Sequence, residues 1–436
     1  MSGQRRAIVA VVVGALWCAS APVWADHRQP VVDVASWWVS PGEQASLAVL
    51  RRHAQAEGLQ WQQRVVPGSG TRRFGDVLVR WVAQGRAPMA SQMIGYDIRD
   101  WARRGQLAYL DDVAREQEWD EVVPLGIQHL SKYQGHWVAA PVNAHSTNWL
   151  WVNAALLRHL QAGAPDTWDD LLRLLEQARA AGITPLAIGP EAWEHTLLFE
   201  AVAAGAGGAE FYRRAFLQLD ASALDGPVTA EVFRRMRLLR SYATRLHGTR
   251  SWDAATDQVR LGEALLQVQG SWVDGEFAAH RLQPGRDYAC WRFPDTQGMF
   301  LFNADQFMFF QEALQQPGQD AVRRRFAAVL MDVNMQTELN IATGAAPARV
   351  DAPRHRFNSC GQQAITDLRR ANLQRTLMGS IAMGNANPPA VKNALYAVVS
   401  AHFLGRLSDE QAVQQLRTVL LDGARAAAVV AAPAGR

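Results

Sequence analysis

At 436 residues the chain exceeds what one compact core usually holds and points to two lobes or domains. Apolar residues make up 49% and charged residues 19%, an ordinary globular composition that excludes both a disordered and a membrane-spanning chain. The formal net charge is only +3, and removing residues 1–25, which carry Arg5 and Arg6 and no acid, lowers it further, so no nucleic-acid footprint is present.

Residues 1–25 read as a secretory signal peptide. Arg5-Arg6 is the positive start, and Ala7 to Trp17 is an apolar stretch too short to span a membrane. Val23-Trp24-Ala25 supplies small residues before a cut preceding Asp26. Cys18 raises a lipoprotein alternative, but Trp17 is too bulky for the position before a lipidated cysteine. Export leaves Cys290 and Cys360, and in an oxidising compartment the default is one disulfide. It closes a loop of about 70 residues, contributing about 4 kcal/mol in the chain-entropy model. No CxxC and no metal-type Cys/His spacing is present, so neither a metal nor a cofactor is expected.

The first strand runs from Val31 to Trp38, into Val39-Ser40-Pro41-Gly42-Glu43, with Glu43 starting a helix through about Glu57. Ligands of open α/β sheets sit at the carboxyl ends of strands and at helix N-termini. Trp37, Trp38 and Glu43 therefore have the address of a ligand site. Trp61 to Val66 is a second strand, and the following Pro67-Gly68-Ser69-Gly70 loop lacks the residues of a P-loop. Phe74 to Ala83 is an amphipathic helix, and Ala87 to Ile94 a strand carrying Gln92 near its end. Asp100 to Arg104, Leu107 to Asp112 and Val122 to Ser131 complete the first lobe.

Trp137 to Val142 has the length of a buried strand, Asn143, His145 and Asn148 form a polar break, and Trp149 to Val152 is a second strand. Such a pattern suggests a chain passing from one α/β lobe to another, where clefts tend to form. A helix follows, Ala154 to Gln161. Thr167 with Asp170 is a capping box for a helix to Ala181. Pro185 to Pro190 is a strand entering a loop with Trp193, Glu194 and His195. Thr196 to Ala204 is helical, and Gly205 to Gly208 a turn without the features of a dinucleotide fingerprint. Helices over Val228–Tyr242 and Trp252–Gly262 precede a strand, Ala264 to Gln269, that ends in Gly270-Ser271-Trp272 and a helix through His280. Phe300 to Phe307 reads as the return crossover, with Asn303 and Asp305 in the cleft floor. Helices at Asp320–Met331 and Met335–Ile341, a third crossing near Thr343 to Val350, helices from Ile365 to Leu416 and a frayed Ala-rich end from Ala424 complete the chain. The lobes thus comprise residues 26–142 with 303–343, and 143–302 with 344–436. Most of the sixteen tryptophans must be core, because no single cleft could use so many.

His136-Trp137-Val138-Ala139-Ala140-Pro141-Val142-Asn143 and Asn148-Trp149-Leu150-Trp151-Val152-Asn153 resemble the glucose-binding branch of the bacterial ABC-importer sugar-binding proteins. The resemblance spans nearly the whole mature chain. It implies an α/β bilobal clamp of the periplasmic-binding-protein, maltose-binding-protein-like (type II) class, two lobes joined by hinge crossovers, that closes on a sugar and catalyses nothing. It implies sugar-binding roles for Trp37, Trp38, Glu43, Gln92, Asn148, Trp193, Trp272, Asn303 and Asp305, and the segments around Cys290 and Cys360 look like the family's cysteine pair. Four positions depart from the glucose binders: Ile94 and Thr343 stand for lysines, Ser271 for an aspartate and Met383 for a histidine. Each lost donor leaves sugar hydroxyls unpaired, at about 1–3 kcal/mol apiece. Codon bias explains why only Lys132 and Lys392 of the 44 basic residues are lysines, but not these losses, since drift from Lys to Arg keeps the charge.

Glu43, Glu194 and Asp305 are candidates for a glycosidase pair by composition alone. No G-x-S-x-G, H-E-x-x-H or P-loop is present, and His145 and His195 read as hydrogen-bonded structural residues. The expectation is a monomeric periplasmic carrier that hands a mono- or disaccharide to ABC permease membrane subunits, with a specificity altered from glucose. The alternative is a periplasmic sensing module regulating a membrane histidine kinase.

Overall fold

The computed structural model describes residues 30–67, 71–243 and 252–431. The expected signal peptide, with Cys18, and residues 68–70 of the Gly-rich loop lie outside the described residues. In chain order the strands are β1 (Val31–Ser36), β2 (Gln60–Val65), β3 (Ala90–Ile94), β4 (Lys132–Tyr133), β5 (His136–Trp137), β6 (Ala139–Pro141), β7 (Asn143–Ser146) and β8 (Trp149–Asn153). They continue as β9 (Thr184–Ala187), β10 (Ala264–Gln269), β11 (Tyr288–Arg292), β12 (Phe300–Asn303), β13 (Asp305–Phe309), β14 (Ala346–Pro347) and β15 (Leu377–Gly379).

One sheet, ordered β2-β1-β3-β13-β6, is the heart of the first lobe, and another, β11-β8-β10-β9, the heart of the second. Between them lies a third sheet, β14-β7-β12-β15, made where the chain crosses. Two crossings run side by side. β6 and β13 pair in the first sheet, with Gln306 opposite Pro141, and their continuations β7 and β12 pair in the third, with Asn303 opposite His145. One residue, Val142 or Ala304, separates each pair of strands. The third crossing follows the helix Val333–Thr343 through Gly344, whose φ of 75° and whose approach to Ser271 O, 2.5 Å from an added Cβ, admit only glycine. Strands that continue from one sheet into the next thus join the lobes through the third sheet.

Most elements stand within a few residues of the sequence reading, and the differences have local causes. The first strand stops at Ser36 because Trp38 N donates to Ser36 Oγ and turns the chain. Its helix starts at Pro41, since Ser40 is the N-cap and Glu43 the acid closing a capping box. The polar Asn143–Ser146 segment, read as a break, is strand β7 and is fully buried, because its polar side chains pair with one another and with Asp305. The run from Trp137 is split at Val138 between the β4–β5 hairpin and the first sheet. Trp193, Glu194 and His195 are not in a loop but open the helix Ala192–Tyr212, which runs through Gly205 to Gly207 and kinks only at Gly208. The last helix, Asp409–Ala431, is intact past Ala424. As expected, Trp119, Trp149 and Trp151 are wholly buried core, and Cys290 of β11 is bonded to Cys360 of the helix Ser359–Gln374.

Candidate ligand-binding site

A cavity of about 400 Å³ opens between the lobes, against the hinge sheet. That is the lower range for small-molecule sites, roughly 300–1,000 Å³. Its first wall follows from one strand–turn–helix unit. β1 delivers Trp37 and Trp38, and the capped helix Pro41–Ala56 delivers Glu43. The Trp37 ring leans edge-on against Phe74 at 5.2 Å and Trp38 against Phe307 at 6.3 Å, so both indoles are braced from behind. Glu43 Oε2 accepts from Val39 N at 2.8 Å and Ser40 N at 2.9 Å. Burial nevertheless pushes its carboxyl up to about 7, against the lowering effect of those hydrogen bonds.

The floor is polar and tightly bonded. Asp305 Oδ1 accepts from Gln92 Nε2 at 2.8 Å, and Oδ2 accepts from Asn143 Nδ2 at 2.9 Å and lies 3.5 Å from His145 Nε2. Gln92 Oε1 in turn accepts from Ser36 Oγ. The other ring nitrogen of His145 meets Ser271 Oγ at 2.9 Å. Asn303 Oδ1 accepts from Asn385 Nδ2 at 2.8 Å. The carboxylate and imidazole are thereby held at fixed angles before any ligand arrives.

The second wall is aromatic. Trp272 opens the helix Trp272–Ala279 behind β10, and its ring lies 5.3 Å from His145, 6.2 Å from Trp193 and 6.4 Å from Trp252. Tyr396 and Lys392 reach in from the helix Pro389–Phe403. Contacts between the lobes flank the cavity on both sides. On one, Glu276 Oε1 accepts from Ser40 Oγ at 2.5 Å and from Gly42 N at 3.0 Å, so a second-lobe acid caps a first-lobe helix. Burial pushes the Glu276 carboxyl above its ordinary range. On the other, Tyr96 N donates to Gly384 O at 2.9 Å and Lys392 Nζ lies 3.3 Å from Asp97. Gly95, with φ of 54°, passes so close to Gly384 that an added Cβ would stand 2.0 Å from its carbonyl oxygen.

Of the residues expected at the site, Trp37, Trp38, Glu43, Trp193, Trp272, Asn303 and Asp305 line the cavity, as do the altered positions Ile94, Thr343 and Met383. Gln92 is fully buried beneath Asp305. Ser271 stands behind His145. Asn148 is away from the cavity: its side chain donates to Thr296 Oγ1 and accepts from Ser146 Oγ, tying the end of β7 to the loop that leads into β12. Glu194 is buried with Oε2 on Glu191 N, and His195 Nδ1 meets Ser400 Oγ. The sequence reading did not single out Trp252, Glu191, Glu276, Lys392, Asn393 or Tyr396, which also line the cavity, and His145, read as a hydrogen-bonded residue, is hydrogen-bonded and lines the cavity as well. Some carried a signal. Glu276 is one helical turn beyond Trp272, and His145 shares a strand face with Asn143.

Residues 69–304 match the family model of bacterial extracellular solute-binding proteins. A probable sugar-binding periplasmic protein of Rhizobium meliloti (strain 1021) is 42% identical over 415 residues, covering 95% of this chain and 98% of the relative. Among solved structures, the bacterial solute receptor AcbH, described as exclusive for β-D-galactopyranose, aligns with a TM-score of 0.75 at 14% identity, covering 92% of this chain and 99% of that one. Maltose-bound T. maritima MalE3 aligns with a TM-score of 0.71 at 16% identity, covering 90% and 99%. These structural likenesses establish the expected bilobal, maltose-binding-protein-like fold.

Proposed function

The chain belongs to the bacterial extracellular solute-binding proteins, and on that premise we propose that it is a periplasmic sugar-binding protein that delivers a mono- or disaccharide to the membrane subunits of an ABC importer. In this reading it acts as a monomer, catalyses no reaction and needs no cofactor. The observation that carries it is the cavity itself, in which indole faces from both lobes stand over a floor of Asn303, Asp305 and His145. A pyranose ring offers apolar C–H faces for stacking and hydroxyls at its edge, and this arrangement meets both.

Trp37, Trp38 and Glu43 belong to the first lobe and Trp193 and Trp272 to the second, so a ligand touches all of them only when the lobes are closed. Binding therefore draws the population toward the closed state, which the Glu276 cap on the helix Pro41–Ala56 and the Asp97–Lys392 pair also favour. Gln92, Asn143 and Ser271 position Asp305 and His145 from behind. Ile94 and Met383 put apolar surface into the cavity, and the Thr343 hydroxyl is engaged with Asn340 Oδ1 and Ala345 N. The site is thus suited to a less hydroxylated or differently substituted sugar than glucose.

A thermal-shift and tryptophan-fluorescence screen of the purified protein tests both statements, using monosaccharides, disaccharides, deoxy-sugars and sugar acids. A response to a sugar other than glucose is expected. A strong response to glucose overturns the altered specificity, and silence across the panel overturns the carbohydrate reading.

A further inference from the structure

The cavity's charge is out of keeping with the chain around it. The chain as a whole is close to electrically balanced, with 44 basic and 41 acidic residues. All but two of the basic residues are arginines, yet among the described residues no arginine lines the cavity. Four carboxylates do, Glu43, Glu191, Glu276 and Asp305, against one lysine, Lys392, which is engaged with Asp97 across the lobes.

Hydrogen-bond chemistry leans the same way. A carboxylate only accepts, through two oxygens. Several donors along the wall are already engaged within the protein. Trp193 Nε1 donates to Glu191 Oε2 at 2.7 Å, Tyr396 OH donates to Ala382 O, and Lys392 Nζ points to Asp97. The carboxylates bond the protein too, but Glu43 and Glu276 each do so through a single oxygen, Oε2 and Oε1, which leaves the other oxygen for a ligand's donor. A neutral sugar brings hydroxyls that each donate once and also need partners for their lone pairs. An ammonium brings three donors and no acceptor. The walls add Trp37, Trp38, Trp193, Trp252, Trp272 and Tyr396, whose ring faces attract cations, most strongly where water is excluded.

We propose that the ligand of this site is a cationic amino sugar, its ammonium held among the cavity's carboxylates and its ring faces against the tryptophans. This rests on the carbohydrate reading and narrows it. Excess negative charge in a closed cavity is costly when empty. Burial raises the proton affinity of Glu43 and Glu276, and a bound ammonium offsets the cost of ionising them there. A sugar acid would bring a further carboxylate into a cavity already lined by four and be rejected.

The test is calorimetric titration of the whole protein with glucosamine and galactosamine. Glucose, galactose, N-acetylglucosamine and glucuronate serve as matched controls, all at neutral pH and low salt. An amino sugar is expected to bind at least about tenfold tighter than its hydroxyl and N-acetyl counterparts, as a charge-assisted contact does, and glucuronate not at all. Glu43→Gln and Asp305→Asn should each reduce the ratio of amino-sugar to neutral-sugar affinity. Two results overturn the proposal and are distinguishable. If a neutral sugar binds as tightly as its amine, or the ratio survives both substitutions, the cationic ligand is wrong and the carbohydrate reading stands. If no sugar of any charge binds, the carbohydrate reading itself has failed.

Discussion

One wall of the cavity comes from a single stretch of seven residues, Trp37 to Glu43, whereas the other gathers Trp193, Trp252, Trp272 and Tyr396 from four separate helices. The first is a local device. A strand end, a Ser-based turn and a capped helix N-terminus place two indoles and a carboxylate together by chain geometry alone. The second exists only because those helices pack beside β10 and the hinge sheet. A wall built locally keeps its shape when the other lobe swings away. A wall built from distant segments depends on the integrity of its whole lobe, and both must meet for a ligand to be gripped.

If the walls grip from opposite sides, removing one indole from either should nearly abolish binding. Trp37→Ala and Trp272→Ala are each expected to weaken the best sugar by about thirtyfold or more, the range of anchoring aromatic residues, in fluorescence or calorimetric titration. Loss from one substitution only would show that the walls are unequal. Loss from neither would mean that the cavity is not the site.

Next in size is the contact that joins the walls. Glu276→Ala removes the acceptor for Ser40 Oγ and Gly42 N, hydrogen bonds made only when the lobes meet. Charged hydrogen bonds contribute about 1.5–3 kcal/mol, so affinity should fall by about ten- to a hundredfold. Small-angle scattering with saturating sugar should show a larger open fraction. Unchanged scattering would dismiss the carboxylate as a latch.

The smallest effect tests the second wall's support. Glu194 lies one residue beyond Trp193, and burial pushes its carboxyl up to about 8 from 4.5. The folded state then keeps a proton that the unfolded chain has already lost. That group's contribution is fully present below about 4.5 and is lost as pH climbs to about 8. Glu194→Gln cannot ionise, so the parent's melting temperature should fall relative to the variant's between pH 5 and pH 8. Parallel curves would contradict the assignment. His195, lowered to about 4 by burial, contributes the opposite slope below neutrality, and both proteins share it.

Much of the architecture was readable before any coordinate, because it rests on short-range chemistry. The Thr167–Asp170 capping box marks its helix start correctly, and the apolar Ala264–Gln269 run is β10 at both ends. The crossovers were readable too, since apolar runs there abut clusters of buried polar residues. Reading polarity as looseness was the error at Asn143–Ser146. A strand can be polar and buried if partners wait for every group, and Asp305, 162 residues from Asn143, is such a partner.

The sequence by itself determined the two-lobed α/β plan, the cysteine pair and the aromatic-acidic turn at Trp37–Glu43, because cap, period and spacing are properties of neighbouring residues. Only the tertiary structure decided that Trp252, Lys392 and Tyr396 face the same cavity as Trp37, that Gln92 lies beneath Asp305 and that Asn148 stands away from the cavity. Those placements depend on how helices distant in the chain pack around the hinge sheet. The gathering of Glu43, Glu191, Glu276 and Asp305 at one cavity likewise joins segments that meet only in the fold.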